Sequence, residues 1–319
     1  MRSRIRLAYS DFWPNFDRET DFFTKIIRRH YDIEWSDNPD FLIYSVFGFQ
    51  YLKHKCVRIF YTGENVKPDF RDCDYAFSFE YGGAPQNFRL PYYIRRSCGT
   101  SFLAPYPDAE RELSSKKRFC TFVYSDPTGR RRNAFMTKLS KYKRVDSGGG
   151  HLNNVGGRVA DKFGFLREGK FNIAFEHTSR AGYTTEKITD AYMARTAPIY
   201  WGNPLISKEF NSRSFVNVHA SKHDDDVIDW IIALDQNDDL YLEMLRTAAQ
   251  PGEDSFVYDE DEVLKQFDRI FSTQIIPVAR RRQWLSEWDR HLRPFGRRIT
   301  TRIVNEYRRG MFPKWQNWE

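Results

Sequence analysis

Between Phe171 and Trp201 two short apolar runs, "KFNIAFE" and "APIYWGNP", flank a stretch with helical spacing, "TTEKITDAYMA", in which Ile188, Ala191 and Tyr192 share one face. Such a β-loop-α-β unit places its two strands in parallel, because the crossover carries the chain back to the edge it started from. The same alternation runs upstream. "RIRLAYS" reads as a strand, and "DFFTKIIRRHY" as a helix with Phe22, Phe23, Ile26, Ile27 and Tyr31 at helical spacing. "FLIYSVF", "VRIFYT" and "DYAFSFE" are further strands, rich in β-branched and aromatic residues. Residues 99–117 mix prolines, serines and charges without a period and read as a linker. A second series then opens with the strand "RFCTFVYS", turns at "DPTG", and continues as the helix "RRRNAFMTKLSKY" with Phe135, Met136 and Leu139 on one face. Two α/β series in succession predict two Rossmann-like domains facing each other across a ligand-binding cleft. The expected boundaries are 1–110, 118–270 and a C-terminal helical segment, 271–319.

A length of 319 residues suits two such domains. Aromatics make up 17% of the chain, more than a minimal core needs, so exposed rings that suit sugars or bases are compatible with the composition. Cys56, Cys73, Cys98 and Cys120 form no metal-ligand spacing and read as reduced thiols of a cytoplasmic protein. The first residues, "MRSRIRLAYSDFW", lack the apolar core of a signal peptide, and the longest apolar runs are far below a membrane span. Charge is unevenly spread: residues 280–319 hold eleven Lys/Arg against four Asp/Glu, which accounts for the whole formal net charge of +7. The basicity therefore belongs to the C-terminal segment and is no nucleic-acid footprint of the fold. That segment interleaves its arginines with Trp284, Trp288, Phe295, Tyr307, Trp315 and Trp318, a pattern suited either to closing helices or to peripheral contact with an anionic inner-membrane surface.

Several constellations carry chemistry. In "YSDPTGRRRNAF" a turn delivers Arg130, Arg131 and Arg132 to a helix N-terminus, where cations are unfavourable unless an anion joins them. "GYTTEK" repeats the theme one unit later: Thr184 or Thr185 caps the helix by accepting from its free N–H groups, and Glu186 suits the first turn. Lys187 does not, and a phosphate would give it a partner. Glu64, in "YTGENVKPDF", follows a strand end and is placed either as a general base facing the crevice or as an exposed loop carboxylate. The loop "DSGGGHLNNVGG" lacks the spacing of a phosphate cradle and reads as a mobile connection. The acidic triplets around Asp72 and Asp74, Asp224 to Asp226, and Asp259 to Asp261 read as solvated surface rather than metal ligands.

Taken together, these segments resemble the α1,3/4-fucosyltransferases of bacterial type. The likeness is most specific over "FNIAFEHTSRAGYTTEKITDAYMARTAPIYWGNPLISKEFNSRSFVNVH", with "YTGENVKPDF", "RRNAF" and "YKRVDSGGGHLNNVGG" in the family's order. The resemblance implies a GT-B fold, with a glycan acceptor in the N-terminal domain and GDP-fucose in the C-terminal one. It implies an inverting single displacement that needs no metal or other cofactor, onto an N-acetyllactosamine-like glycan in α1,3 linkage. It also implies roles: Glu64 takes the acceptor proton, Arg132 and Lys187 hold the diphosphate, Glu186 binds ribose hydroxyls, and Tyr183 lines the pocket. The family usually has Asn where this chain has His177, so His177 is the expected substitute donor contact. The alternatives are a GT-B transferase with another nucleotide sugar, acceptor or linkage, and a non-catalytic glycan- or membrane-binding protein.

Overall fold

A computed structural model describes residues 2–96, 103–250 and 260–281. Among these, 2–78, 84–88 and 260–281 form one unit, and 79–83, 89–96 and 103–250 form a second.

The first unit is built on a six-stranded sheet: β1 (Ser3–Ser10), β2 (Tyr31–Trp35), β3 (Phe41–Tyr44), β4 (Val57–Tyr61), β5 (Tyr75–Ser78) and β6 (Asn87–Arg89), in the order β2-β1-β3-β4-β5-β6. β1 pairs in parallel with both β2 and β3, and β3, β4 and β5 follow in parallel. All five residues of β4 are buried, as expected of a central strand covered on both faces. Helix α1 (Phe22–Ile27) starts at Asp21, whose carboxylate accepts from the Phe23 N–H. It is shorter than its apolar spacing predicts: the N–H groups of Arg29 and His30 turn back to Ile26 and Ile27, and Tyr31 opens β2. Parallel pairing with β1 thus wins over helical propensity at Tyr31.

Five strands make the second unit: β7 (Arg118–Phe122), β8 (Val145–Ser147), β9 (Gly169–Phe175), β10 (Ala197–Trp201) and β11 (Val216–Asn217), in the order β11-β10-β9-β7-β8. β10 pairs in parallel with β9 and β11, and β7 in parallel with β8 and β9. Around it lie α2 (Tyr92–Arg96), α3 (Ala109–Ser114), α4 (Arg130–Leu139), α5 (Lys162–Arg167), α6 (Glu186–Met193), α7 (Asp224–Gln236) and α8 (Asp238–Arg246). Phe122, Phe135, Leu139, Phe171, Phe175 and Ile231 form part of one buried cluster between sheet and helices. The expected linker is not featureless: α3 lies within it, capped by Asp108 onto the Arg111 N–H at 3.0 Å, and buries Glu112 against Arg167 and Arg195.

After the second unit the chain returns to the first. α9 (Glu260–Ser272) lays Val263, Leu264, Phe267 and Ile270 inward, with Phe267 on Phe23 and Phe77. α10 (Val278–Arg281) is held by the buried Asp74, which accepts from the Val278 N–H at 2.8 Å and from Arg281. Asp72 and Asp74 are therefore buried structural acceptors rather than surface carboxylates. Asp224 and Asp225 pair with Arg131 and Lys138, and Asp261 with Arg29. Cys98, Asp259, residues 99–102 of the expected linker and the basic aromatic segment from 282 onward lie outside the described residues. No helix among the described residues is long and apolar enough to cross a membrane.

Both sheets share one plan. Each starts with a strand that sends the chain to one neighbour and then receives the third strand on its other side, giving a 2-1-3-4-5 order in the second unit and the same order with a sixth strand added in the first. The order reverses between β1 and β3 in the first sheet and between β7 and β9 in the second. Loops leaving such a reversal diverge and open a crevice at the C-terminal edge of the sheet.

Candidate functional site

At the β7/β9 reversal the chain places Tyr124 just beyond β7 and Glu176-His177 just beyond β9. The Tyr124 hydroxyl is within 2.9 Å of the carbonyls of Ile173 and of Phe175, stapling the two strand ends together. Arg132, in the first turn of α4, is buried and folds its guanidinium over the Tyr124 ring at 4.4 Å. One of its terminal N–H groups donates to the Asp126 carbonyl, while its Nε is buried with no hydrogen-bond partner among the described residues. Gly129 makes room for this pose, since a Cβ there would lie 2.3 Å from the guanidinium carbon. Arg131, by contrast, forms a two-pronged pair with Asp224 and packs near Trp201, so the three arginines at this helix start are not equivalent. His177 lies with Nδ1 3.5 Å from a carboxylate oxygen of Asp126. Burial alone would raise the Asp126 pKa; hydrogen bonds from Thr128, with His177 and Arg132 nearby, bring it below the usual carboxylate value.

"GYTTEK" approaches the same place from the other side. Gly182 has φ +85°, and a Cβ there would sit 2.1 Å from the Phe79 carbonyl oxygen, so the turn requires glycine. Its N–H donates to Asn203 at 2.9 Å and its carbonyl accepts from Arg89 at 3.2 Å. Beneath it one carboxylate oxygen of the buried Glu209 accepts from Arg89, Tyr81, Asn203 and Thr184. Tyr183 is buried, with Phe79 against it at 5.0 Å. The threonines do not cap α6 as their positions suggested. Thr184 gives its hydroxyl to Glu209, and Thr185, at the N-cap, donates both its N–H and its hydroxyl to Glu176.

Lys187 completes this cluster. Its ammonium donates to Glu176 at 2.9 Å and to the Thr185 hydroxyl at 2.8 Å. Burial opposes its charge, but the carboxylates of Glu176 and Glu186 outweigh burial and raise its pKa above that of an ordinary lysine. Burial raises the pKa of Glu176, with Lys187 opposing. For Glu186 burial is the largest single influence and pushes upward, but Lys187, its own backbone N–H, Lys162 and Arg96 together outweigh it, and the carboxyl lies below its usual range. Tyr124 feels both Lys187 and Arg132. The tertiary structure thus gathers Arg132, His177, Tyr183, Glu186 and Lys187 around one strand reversal. Tyr124, Asp126 and Glu176 belong to the same cluster and escaped the sequence reading. Their only signal was position, immediately after two predicted strands.

The glycine-rich loop borders the cluster and is tied down rather than loose. Asn154 bonds the Ser147 N–H and the Val145 carbonyl, Asn153 bonds Gly149 and Gly157, and the His151 N–H donates to Tyr124. A Cβ on Gly149 would meet the Tyr124 backbone at 2.0 Å. Glu64 is separate in the chain, in the first unit. It follows β4, half-buried, in a turn closed by Thr62, whose hydroxyl accepts from the Glu64 N–H at 2.9 Å and donates to its carbonyl at 3.0 Å. Among the described residues no group of three or more His, Cys, Asp or Glu is placed to hold a metal ion.

Both units resemble known proteins. Residues 113–251 match the family model described as glycosyltransferase family 10 (fucosyltransferase) C-term, and residues 7–95 match the α-(1,3)-fucosyltransferase FucT N-terminal domain. A crystal structure of an α1,3-fucosyltransferase superposes with TM-score 0.76 at 30% identity, covering 86% of this chain and 92% of that one. The chain belongs to glycosyltransferase family 10, the fucosyltransferases. A second crystal structure, of an α1,3-fucosyltransferase with GDP-fucose, gives TM-score 0.73 at 28% identity over 87% of this family 10 chain and 93% of that one. The two units are accordingly the Rossmann-like units of the GT-B fold. The α-(1,3)-fucosyltransferase FucT of Helicobacter pylori is 34% identical over 287 residues, 76% of this family 10 chain. The chain spans 59% of that relative's length. A shorter match, 29% over 151 residues, is to GDP-fucose protein O-fucosyltransferase 3 of Xenopus laevis.

Proposed function

We propose that this protein transfers fucose from GDP-fucose to a hydroxyl of an N-acetyllactosamine-like glycan, in α1,3 linkage and with inversion at the anomeric carbon. The observation that carries the reading is the gathering of Arg132 and Lys187 about Tyr124 at the β7/β9 reversal. In the reaction the acceptor oxygen bonds to the anomeric carbon as the bond to the diphosphate breaks; the hydroxyl proton passes to Glu64, and GDP departs with the bonding electron pair. Arg132, through its unpartnered Nε, and Lys187 hold the diphosphate and stabilise the charge that develops on it. Glu186, a carboxylate at the start of α6, accepts from ribose hydroxyls; Tyr183 lines the pocket; and His177, tethered near Asp126, takes the donor contact usually made by Asn. No metal or other cofactor enters this scheme, because the two cations do the electrostatic work.

Replacing Glu64 with Gln is expected to lower turnover by about 10² to 10⁴-fold with GDP affinity retained. Full turnover in that variant would remove Glu64 as the base. Lys187→Ala is expected to weaken GDP binding about tenfold or more by calorimetry; unchanged affinity would remove Lys187 from the diphosphate. The proposed location is the cytoplasmic face of the inner membrane, held by the basic aromatic segment; vesicle binding that persists after truncation at residue 279 would overturn it.

A further inference from the structure

The first unit has a strand reversal of its own, and what lies there differs in kind from the cationic cluster of the second. The loops leaving β1 and β3, "DFWPNF" and "SVFGFQ", lie side by side at the β1/β3 reversal. Phe12, Trp13 and Phe16 are only half-buried, and Phe47 is 40% exposed. Their rings nevertheless pack on one another: Phe12 on Phe16 at 4.1 Å, Trp13 edge-on to Phe16 at 5.3 Å, and Trp13 to Phe47 at 6.4 Å.

The backbone under these rings is held in a costly shape. Asp11 and Asn15 have φ of +58° and +65°, a region that residues with a Cβ avoid. Asp11 is fixed there by three bonds to its carboxylate, from the N–H groups of Gln50 at 2.9 Å and Tyr51 at 2.8 Å and from the Ser10 hydroxyl at 2.8 Å. The Phe47 N–H in turn donates to the Asp11 carbonyl at 2.9 Å. Gly48 permits this approach, since a Cβ there would lie 2.2 Å from the Asp11 carboxylate. Two loops are thereby joined into one rigid aromatic surface at the position where open α/β sheets bind ligands.

We propose that this surface is a sugar platform, on which Trp13 receives the apolar face of a pyranose ring of the acceptor glycan while Phe47, at 83° to Trp13, walls the edge of that ring. The electron-rich face of an aromatic ring complements the polarised C–H groups of a pyranose, and rigid rings bind with little loss of side-chain freedom. Exposed polar side chains at the rim, Asn15 and Gln50, suit a hydroxylated ligand rather than a lipid chain. Phe12 reaches Tyr61, the last residue of β4, at 6.3 Å, and the chain then turns to Glu64. Platform and Glu64 therefore share the C-terminal edge of β1, β3 and β4, across two strand spacings of about 10 Å, a reach comparable with two linked sugar rings. The acceptor assignment rests on the reading of Glu64 as the base; the binding of a sugar does not.

Saturation-transfer NMR on the full chain with galactose, N-acetylglucosamine and N-acetyllactosamine tests the platform directly. The wild type is expected to pass saturation to pyranose ring protons. Phe47→Ala and Trp13→Ala are expected to lose about tenfold in sugar affinity, with Trp13→Phe retaining most of it and GDP affinity matching the wild type in all three. A wild-type far-UV circular dichroism spectrum and melting profile report that the variants are folded. Unchanged sugar binding in both alanine variants, or a wild type that binds none of the sugars, would overturn the platform. Binding of phospholipid vesicles that is lost in Phe47→Ala, without sugar binding, would overturn it in favour of a lipid contact. A wild type that binds sugar through these rings yet transfers no fucose would sink the Glu64 reading and leave the platform standing.

Discussion

At the scale of single residues, Lys187 shows how a misplaced charge becomes informative. A cation in the first turn of a helix meets the positive end of the macrodipole, and in the neighbouring sequence only Glu186 opposes that cost. The structure supplies Glu176, a fully buried carboxylate from the end of β9, as partner. A buried pair of this kind adds little net stability, but removing one member leaves the other exposed to the full cost of desolvation. Glu176→Gln is therefore expected to destabilise the second unit by about 2–4 kcal/mol. The ammonium left without its carboxylate should then gain more from a diphosphate. Addition of GDP is expected to raise the melting temperature of this variant by more than it raises that of the wild type. Equal shifts in scanning fluorimetry would mean that Lys187 and the diphosphate do not meet.

Among the elements, the turn into α6 carries the clearest dependence of local shape on distant partners. Residues 182–184 are tied to Asn203, Arg89 and Glu209, so the approach of "GYTTEK" to the β7/β9 edge is decided by Arg89 and by side chains from beyond β10. Gly182 is the point where the backbone itself is committed. Gly182→Ala is expected to cost at least about 2 kcal/mol, because it adds the strain of a left-handed backbone to a collision with the Phe79 carbonyl. Urea unfolding with an unchanged midpoint would show that the turn relaxes freely. The helix was legible from Ile188, Ala191 and Tyr192, but the use of its threonines was not. A threonine beside a helix start caps by default, and only a carboxylate arriving from another strand diverts it.

Across the whole molecule, charge burial sets a pH dependence. Lys116, just after α3, donates to the carbonyls of Arg167 and Arg195 and so links three separate segments. Burial lowers its pKa to about 8 against partial support from Glu112, with Arg167 and Arg195 lowering it further. Between that pH and the ordinary lysine value of 10.5 the unfolded chain binds more protons at this site than the folded one, so the site's contribution to stability rises with pH. Below about pH 8 both states are protonated and the unfavourable contribution is present in full. The melting temperature of the wild type, taken relative to Lys116→Gln, is expected to rise between pH 7.5 and pH 10. A difference that stays flat or falls would show that the ammonium is not held in a low-dielectric setting.

The sequence by itself determined the alternation of strands and helices, hence two parallel α/β sheets, and the gathering of cations at two predicted helix starts. These follow from side-chain periodicity and local charge, which act over a few residues. It did not determine that Tyr31 would leave its helix for β2, that Asp72 and Asp74 would be buried, that α9 and α10 would return to the first unit, or that Glu176 would hold Lys187. Nor did it reveal that both sheets reverse their strand order beside their first strand. Each of those outcomes is a choice of partner between segments far apart in the chain. Such choices are decided by strand pairing and by the need of every buried charge for an opposite charge or a hydrogen bond, and only the folded structure satisfies both at once.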